Sequence, residues 1–119
     1  MNILVVDDEV AFAQLLGRSL RRLGHQATVV GHPEDALEMF RASPFDAVIT
    51  DIDMPCMSGV DLARTLRAER ADLRIAFCTG SAPGTSRALE ASTFGLVLPK
   101  VWRDADVRVL LDSLADPAR

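Results

Sequence analysis

The chain has 119 residues, with 13 Lys and Arg against 17 Asp and Glu and a formal net charge of −4. A hydrophobic fraction of 49% and a charged fraction of 25% describe one globular domain, long enough for a real core and too short for two. The acidic balance and dispersed arginines argue against a nucleic-acid footprint, and no apolar run approaches the ~20 residues of a membrane span.

The opening "MNILVV" has no basic segment and no cleavage-like site, which predicts no secretory signal and a cytoplasmic location. Residues 3–6, "ILVV", form a short continuous apolar run that stops at Asp7-Asp8, as a fully buried strand does. A helix is expected from Glu9 to Leu23, with Phe12, Leu16, Leu20 and Leu23 on one stripe and Gly24 as its stop. "ATVVG" (27–31) predicts a second strand, flanked by His25 and His32, which are expected to be solvated turn residues. His32-Pro33 opens a helix with Leu37 and Phe40 inward, and "SPFD" ends it before the strand "AVIT" (47–50). Ser58-Gly59-Val60-Asp61 resembles a capping box at the start of a third helix, with Val60, Ala63 and Leu66 inward. "RIAFC" (74–78) and "GLVL" (95–98) predict two further strands. Between them, 84–93 is a Ser/Thr/Ala-rich segment of weak helical character, and Val107, Leu110, Leu111 and Leu114 mark a last amphipathic helix.

Five β-α units in strict alternation predict an α/β doubly wound, five-stranded parallel sheet with helices on both faces, of flavodoxin-like order 2-1-3-4-5. One domain is expected over residues 1–119. Ligands in such a sheet bind at the carboxyl ends of the strands, where strands 1 and 3 meet. The residues at those ends are Asp7 and Asp8, Asp51, Thr79, and Lys100, which is the only lysine in the chain. Clustered carboxylates call for a cation, and an open all-oxygen site suits Mg²⁺. A point-charge ammonium and a hydroxyl suit phosphate oxygens, which leaves Asp51 as the carboxylate able to attack phosphorus. Cys56 and Cys78 have neither CxxC nor metal spacing and are expected as unreactive thiols in a reducing compartment.

"VVDDE" (5–9), "VITDIDMPCMSGVDL" (48–62), "FCTGSA" (77–82) and "VLPK" (97–100) resemble the four signatures of response-regulator receiver domains, in order and across the whole chain. The resemblance implies that Asp51 is phosphorylated, that Asp7, Asp8 and Asp51 hold Mg²⁺ with the backbone carbonyl of Asp53, and that Thr79 and Lys100 bind the phosphoryl group. It implies a histidine kinase or phosphotransfer protein as donor, a downstream protein or output domain as reader, and no direct contact with nucleic acid or membrane. It also implies a signalling module that catalyses only its own phosphorylation and dephosphorylation, with Asp53 and Ser81 tuning the loss of the phosphoryl group.

The chain departs from the family's pattern at several positions. Val101 follows Lys100 where the family usually has a cis proline, and a non-proline cis bond costs roughly 3 kcal/mol. Val97 stands where an aromatic is common, so no ring can swing inward there; segment 82–94, strand 5 and the last helix, near Trp102, are the expected output elements. Two other readings stand beside the receiver. One is a degenerate receiver that serves as a phosphorylation-independent binding module. The other is a haloacid-dehalogenase-type phosphatase, whose strand-D-x-D nucleophile motif "VITDIDMP" resembles, though that leaves Asp7-Asp8 unexplained.

Overall fold

The computed structural model describes residues 1–80, 84–100 and 103–115. It contains β1 (Asn2–Val6), α1 (Val10–Arg22), β2 (Gln26–Val30), α2 (Pro33–Ala42), β3 (Ala47–Asp51), α3 (Gly59–Glu69), β4 (Arg74–Thr79), α4 (Ser86–Ala91), β5 (Leu96–Pro99) and α5 (Asp104–Ala115). The strands form one parallel sheet in the order β2-β1-β3-β4-β5. No helix among the described residues is long and apolar enough to cross a membrane.

The side-chain alternation of a strand divides the core in two. Ile3, Val5, Ala47, Ile49, Ala76 and Cys78 meet α1 and α5 through Leu16, Leu20, Leu110 and Leu114. Leu4, Val6, Val48, Ile75 and Phe77 face the other way, toward Ala36 of α2, Leu62 and Leu66 of α3, and Ala88 and Ala91 of α4. Strands β1, β3 and β4 are buried almost throughout, which is why their sequences read as unbroken apolar runs. β2 and β5 lie at the edges and are only half-buried.

The helix termini follow local chemistry. Pro33 occupies the first turn of α2, where a missing N–H costs nothing. Ser58 accepts a hydrogen bond from the Asp61 amide at 3.1 Å, which is half of the expected capping box; the Asp61 carboxylate instead pairs with Arg64. Gly24 takes φ +92 just beyond α1, a conformation that suits glycine. The weak 84–93 segment forms a helix of six residues, Ser86–Ala91, capped by Thr85 at 3.2 Å from the Ala88 amide. Its buried residues are two alanines, Ala88 and Ala91, while Leu89 is exposed.

His32 is exposed as expected, but His25 is half-buried. Its Nδ1 lies 2.9 Å from the amine of Met1. Burial, and then that positive charge, lower the pKa of the ring, so the solvated turn histidine expected from sequence is corrected to a neutral acceptor.

Candidate functional site

Register and parity assemble the site. Val6 pairs with Thr50 and Asp51 with Cys78, so Asp7 leaves β1 beside the end of β3. Asp7 and Asp51 continue the Val5 and Ile49 parity, on the α1/α5 side of the sheet. Lys100 comes one residue after β5, where its amide donates to the Thr79 carbonyl at 2.9 Å and ties the ends of β4 and β5 together. Gly59 is required on the other side: a Cβ there would collide with the Asp51 carbonyl oxygen. Its own amide donates to Ile52 at 2.7 Å, pinning the segment after Asp51 to the start of α3.

Carboxylate oxygens of Asp7, Asp8 and Asp51 lie within 4.8 Å of one another. Asp7 and Asp51 are buried and Asp8 is exposed, so the cluster is walled by the sheet and open on one side. The Lys100 side chain, 12% exposed, places Nζ 2.8 Å from Asp7 Oδ2, 3.2 Å from Asp51 Oδ2 and 3.1 Å from Glu9 Oε1. The Phe12 ring lies beneath the ammonium, its centroid 5.0 Å away. Asp51 Oδ1 accepts from the Asp53 amide at 3.3 Å, and Asp7 Oδ1 from the Glu9 amide at 2.9 Å.

One ammonium does not neutralise this much acid. Burial, followed by the charge of Asp7, pushes the Asp51 carboxyl up to about 6, although Lys100 and the Asp53 amide pull the other way. Burial also raises Asp7 despite its contact with Lys100. For Lys100 burial favours the neutral amine, but the close contact with Asp7 and the charges of Asp7 and Asp51 outweigh it, so its pKa rises. Asp7 Oδ2 is fully buried and, although ion-paired with Nζ, receives no well-directed hydrogen bond. An under-satisfied buried oxygen beside two further carboxylates is the donor set of a hard divalent cation, so the residues present fit a metal.

The structure thus brings together Asp7, Asp8, Asp51 and Lys100. Thr79 is buried at the end of β4. Val97 is half-buried in β5 and packs on the α2–α4 side of the core. The Asp53 side chain is exposed and pairs with Arg87 of α4 at 3.0 Å. Ser81, Trp102 and the Lys100-Val101 peptide lie outside the described residues. Cys56 is exposed and Cys78 buried beneath the acids, which hold its thiol up together with burial, the larger cause. Sequence reasoning missed three participants: Glu9, Phe12 and Arg87. Glu9 had a signal, since it adjoins Asp8; Phe12 satisfied the α1 core stripe and so carried none.

A second depression, of about 1220 Å³, lies at the opposite end of the sheet. Its arginines are engaged there by the protein itself: Arg67 donates to the carbonyls of Leu73 and Phe94, Arg70 to that of Phe45, and Arg74 to that of Leu114. The chemistry therefore belongs to the acidic edge.

A parallel sheet of this order, carrying acids at the β1/β3 switch point and a lysine after β5, defines a receiver-type α/β domain. The response regulator receiver domain model matches residues 3–111, and the chain belongs to that family of signalling modules, which accept a phosphoryl group in two-component systems. It is 34% identical to the sensory/regulatory protein RpfC of Xanthomonas campestris pv. campestris, across 99% of this chain and 16% of that protein. It thus spans about a sixth of that relative's length. Among solved structures it is similar to response regulator protein TrrA of Thermotoga maritima in complex with Mg(2+)-BeF, with a TM-score of 0.82 and 28% identity over 96% of this chain and 99% of that one. A response regulator of Burkholderia pseudomallei, solved with a phosphorylated aspartic acid, calcium ion and citrate, gives a TM-score of 0.82 and 30% identity over 98% of this chain and 68% of that one. The position of Asp7 and Asp8 beside Asp51 accounts for the residues that the phosphatase reading left unexplained.

Proposed function

We propose that Asp51 is the phosphoryl acceptor, with Mg²⁺ held by Asp7, Asp8, Asp51 and the Asp53 backbone carbonyl. The observation that carries this reading is the convergence of three carboxylates and one half-buried ammonium at the end of β3. With its carboxyl near 6, Asp51 is mostly ionised at neutral pH, as a nucleophile must be. Its oxygen attacks phosphorus as the bond to the donor's imidazole nitrogen or acyl oxygen breaks, and the leaving group departs with that electron pair. Lys100 stays within reach of the transferred group, since Nζ already contacts an Asp51 oxygen. Thr79 supplies a hydroxyl from the adjoining strand. The metal supplies positive charge against the transferred phosphoryl group. Asp53, and Ser81 beyond the described residues, tune hydrolysis of the acyl phosphate.

The donor is a histidine kinase or phosphotransfer protein, and the reader is a downstream protein or output domain. The chain's similarity to a sensory/regulatory protein supports the first. With Val97 in place of a ring, the signal leaves through α4, β5 and α5, the last two flanking Trp102 in the sequence, without an aromatic switch. Intact-mass measurement after incubation with a small acyl phosphate tests the reading: one phosphoryl group with Mg²⁺, none with excess chelator, and none on Asp51→Asn. A full adduct on that variant overturns the assignment of Asp51, and phosphoester turnover at enzyme rates restores the phosphatase reading. Partner binding indifferent to the adduct would establish the phosphorylation-independent binding module.

A further inference from the structure

The geometry points to Arg87 as the residue that couples α4 to the acceptor, through its ion pair with Asp53. This inference rests on the proposed role of Asp51. A continuous path joins the two: the Asp51 carboxylate accepts from the Asp53 amide at 3.3 Å, and the Asp53 carboxylate accepts from Arg87 Nη1 at 3.0 Å. Arg87 is the second residue of α4, so the helix is tied by its first turn to the backbone that carries the acceptor.

The tie matters because, among the described residues, α4 has little else to hold it. Its buried residues are alanines, which bury one methyl each. Its second ionic tie, Glu90 to Arg64 at 3.0 Å, runs to α3, and Arg64 also lies over the Phe94 ring. That contact ends on the body of a helix anchored by Val60, Leu62, Ala63 and Leu66, which meets the Asp51 segment only through backbone at Gly59 and not through the acceptor carboxylate. One tie therefore runs to a packed helix, while the other runs to the loop whose backbone bonds to the acceptor carboxylate. In the unloaded state the loop is held to Asp51 by a long hydrogen bond; loading the acid cluster adds further contacts to Asp51 and stiffens that backbone. Through Arg87, the first turn of α4 is stiffened with it. The ordering thus passes along a charge pair rather than a ring rotation, which suits a chain with valine at position 97.

Hydrogen exchange of residues 84–94 in the full chain, with and without Mg²⁺ and beryllofluoride, tests this in the parent and in Arg87→Ala and Arg64→Ala. The parent's α4 amides should exchange about threefold more slowly when loaded, the size expected of one exposed ion pair. Arg64→Ala should raise exchange in both states and keep that ratio; Arg87→Ala should bring it close to one while still taking a phosphoryl group by mass. Arg87→Lys should restore the ratio, and Arg87→Gln, which keeps the stem without the charge, should not, so a folding defect in the alanine variant cannot imitate the result. A ratio that survives in both Arg87→Ala and Arg87→Gln overturns the coupling role, as does a parent that loads Asp51 with no change in α4. A parent that takes no phosphoryl group overturns the acceptor assignment instead.

Discussion

Asp51→Asn should stabilise the metal-free protein. Asp51 is 6% exposed and its carboxyl is pushed from 3.8 to about 6. At about 1.36 kcal/mol per pKa unit this is a penalty of up to about 3 kcal/mol for holding the charged form in place. The sign follows from proton counting: between the unfolded and folded pKa values the native state binds more protons than the unfolded chain, so stability falls as pH rises through that window. The penalty is about 0.5 kcal/mol near pH 4, vanishes below about pH 3 and is complete above about pH 7. Asp51→Asn removes it. Lys100 loses one partner in that variant but keeps Asp7 and Glu9, so the net gain should be about 2 kcal/mol near pH 8, or roughly 5–10 °C in Tm for a domain of this size. Urea unfolding of both proteins in excess chelator, across about pH 4 to pH 8, measures it. The curves should converge at the acid end and separate as pH rises. A variant no more stable than the parent near pH 8, or a gain of equal size at every pH, refutes the account of Asp51 as a desolvated, repelled charge.

Lys100→Ala leaves Asp7 and Asp51 without their shared ammonium, so the metal-free variant should lose about 1–3 kcal/mol near pH 8; chemical unfolding should show the loss shrinking below about pH 5 and on adding millimolar Mg²⁺. Gly59→Ala puts a methyl group against the Asp51 carbonyl and should cost more than about 2 kcal/mol by the same measurement, because backbone rather than a flexible side chain must move. Asp53→Asn removes the charge that pairs with Arg87 and should change the rate at which phosphorylated protein loses its phosphoryl group, followed by intact mass over time; superimposable decay curves would remove Asp53 from that step.

The strands that frame the site were legible because they are buried on both faces, so burial wrote their positions as unbroken apolar runs: "ILVV" became β1 within one residue and "AVIT" became β3 with Asp51 added. The acids were legible as polar residues ending such runs, and Lys100 because it is the one lysine among arginines. What stayed hidden depends on long-range geometry. Arg87 is 34 residues from Asp53, in a segment whose weak pattern showed that α4 would be marginal but not what would hold it. Phe12 reads as one more apolar residue on α1, and only the folded chain places its ring beneath an ammonium 88 residues on. Gly59 looked like part of a helix start; that it is also the point of closest approach to the Asp51 backbone needs both elements in place.

The same magnitudes connect the strain at the acceptor to the signal. A domain of this kind is stable by only about 5–15 kcal/mol, so a penalty near 3 kcal/mol at one carboxylate is a substantial part of it. Both hydrophobic layers, each fastened by at least two helices, carry that load without help from the site. Neutralising the cluster relieves that penalty within the acceptor site, while the share that one exposed ion pair can pass on is at most about 1 kcal/mol, a few-fold shift in an equilibrium that feels it. Helix α2 opposes such a shift with Leu37, Met39 and Phe40 packed on the core, and α3 with four apolar residues in addition to Gly59. Helix α4 opposes it with two alanines and two exposed ion pairs, each such pair contributing at most about 1 kcal/mol. Among the described helices, α4 is therefore the most lightly anchored, and a few-fold contribution through the charge pair at Arg87 is a larger share of its anchoring than of any other helix's.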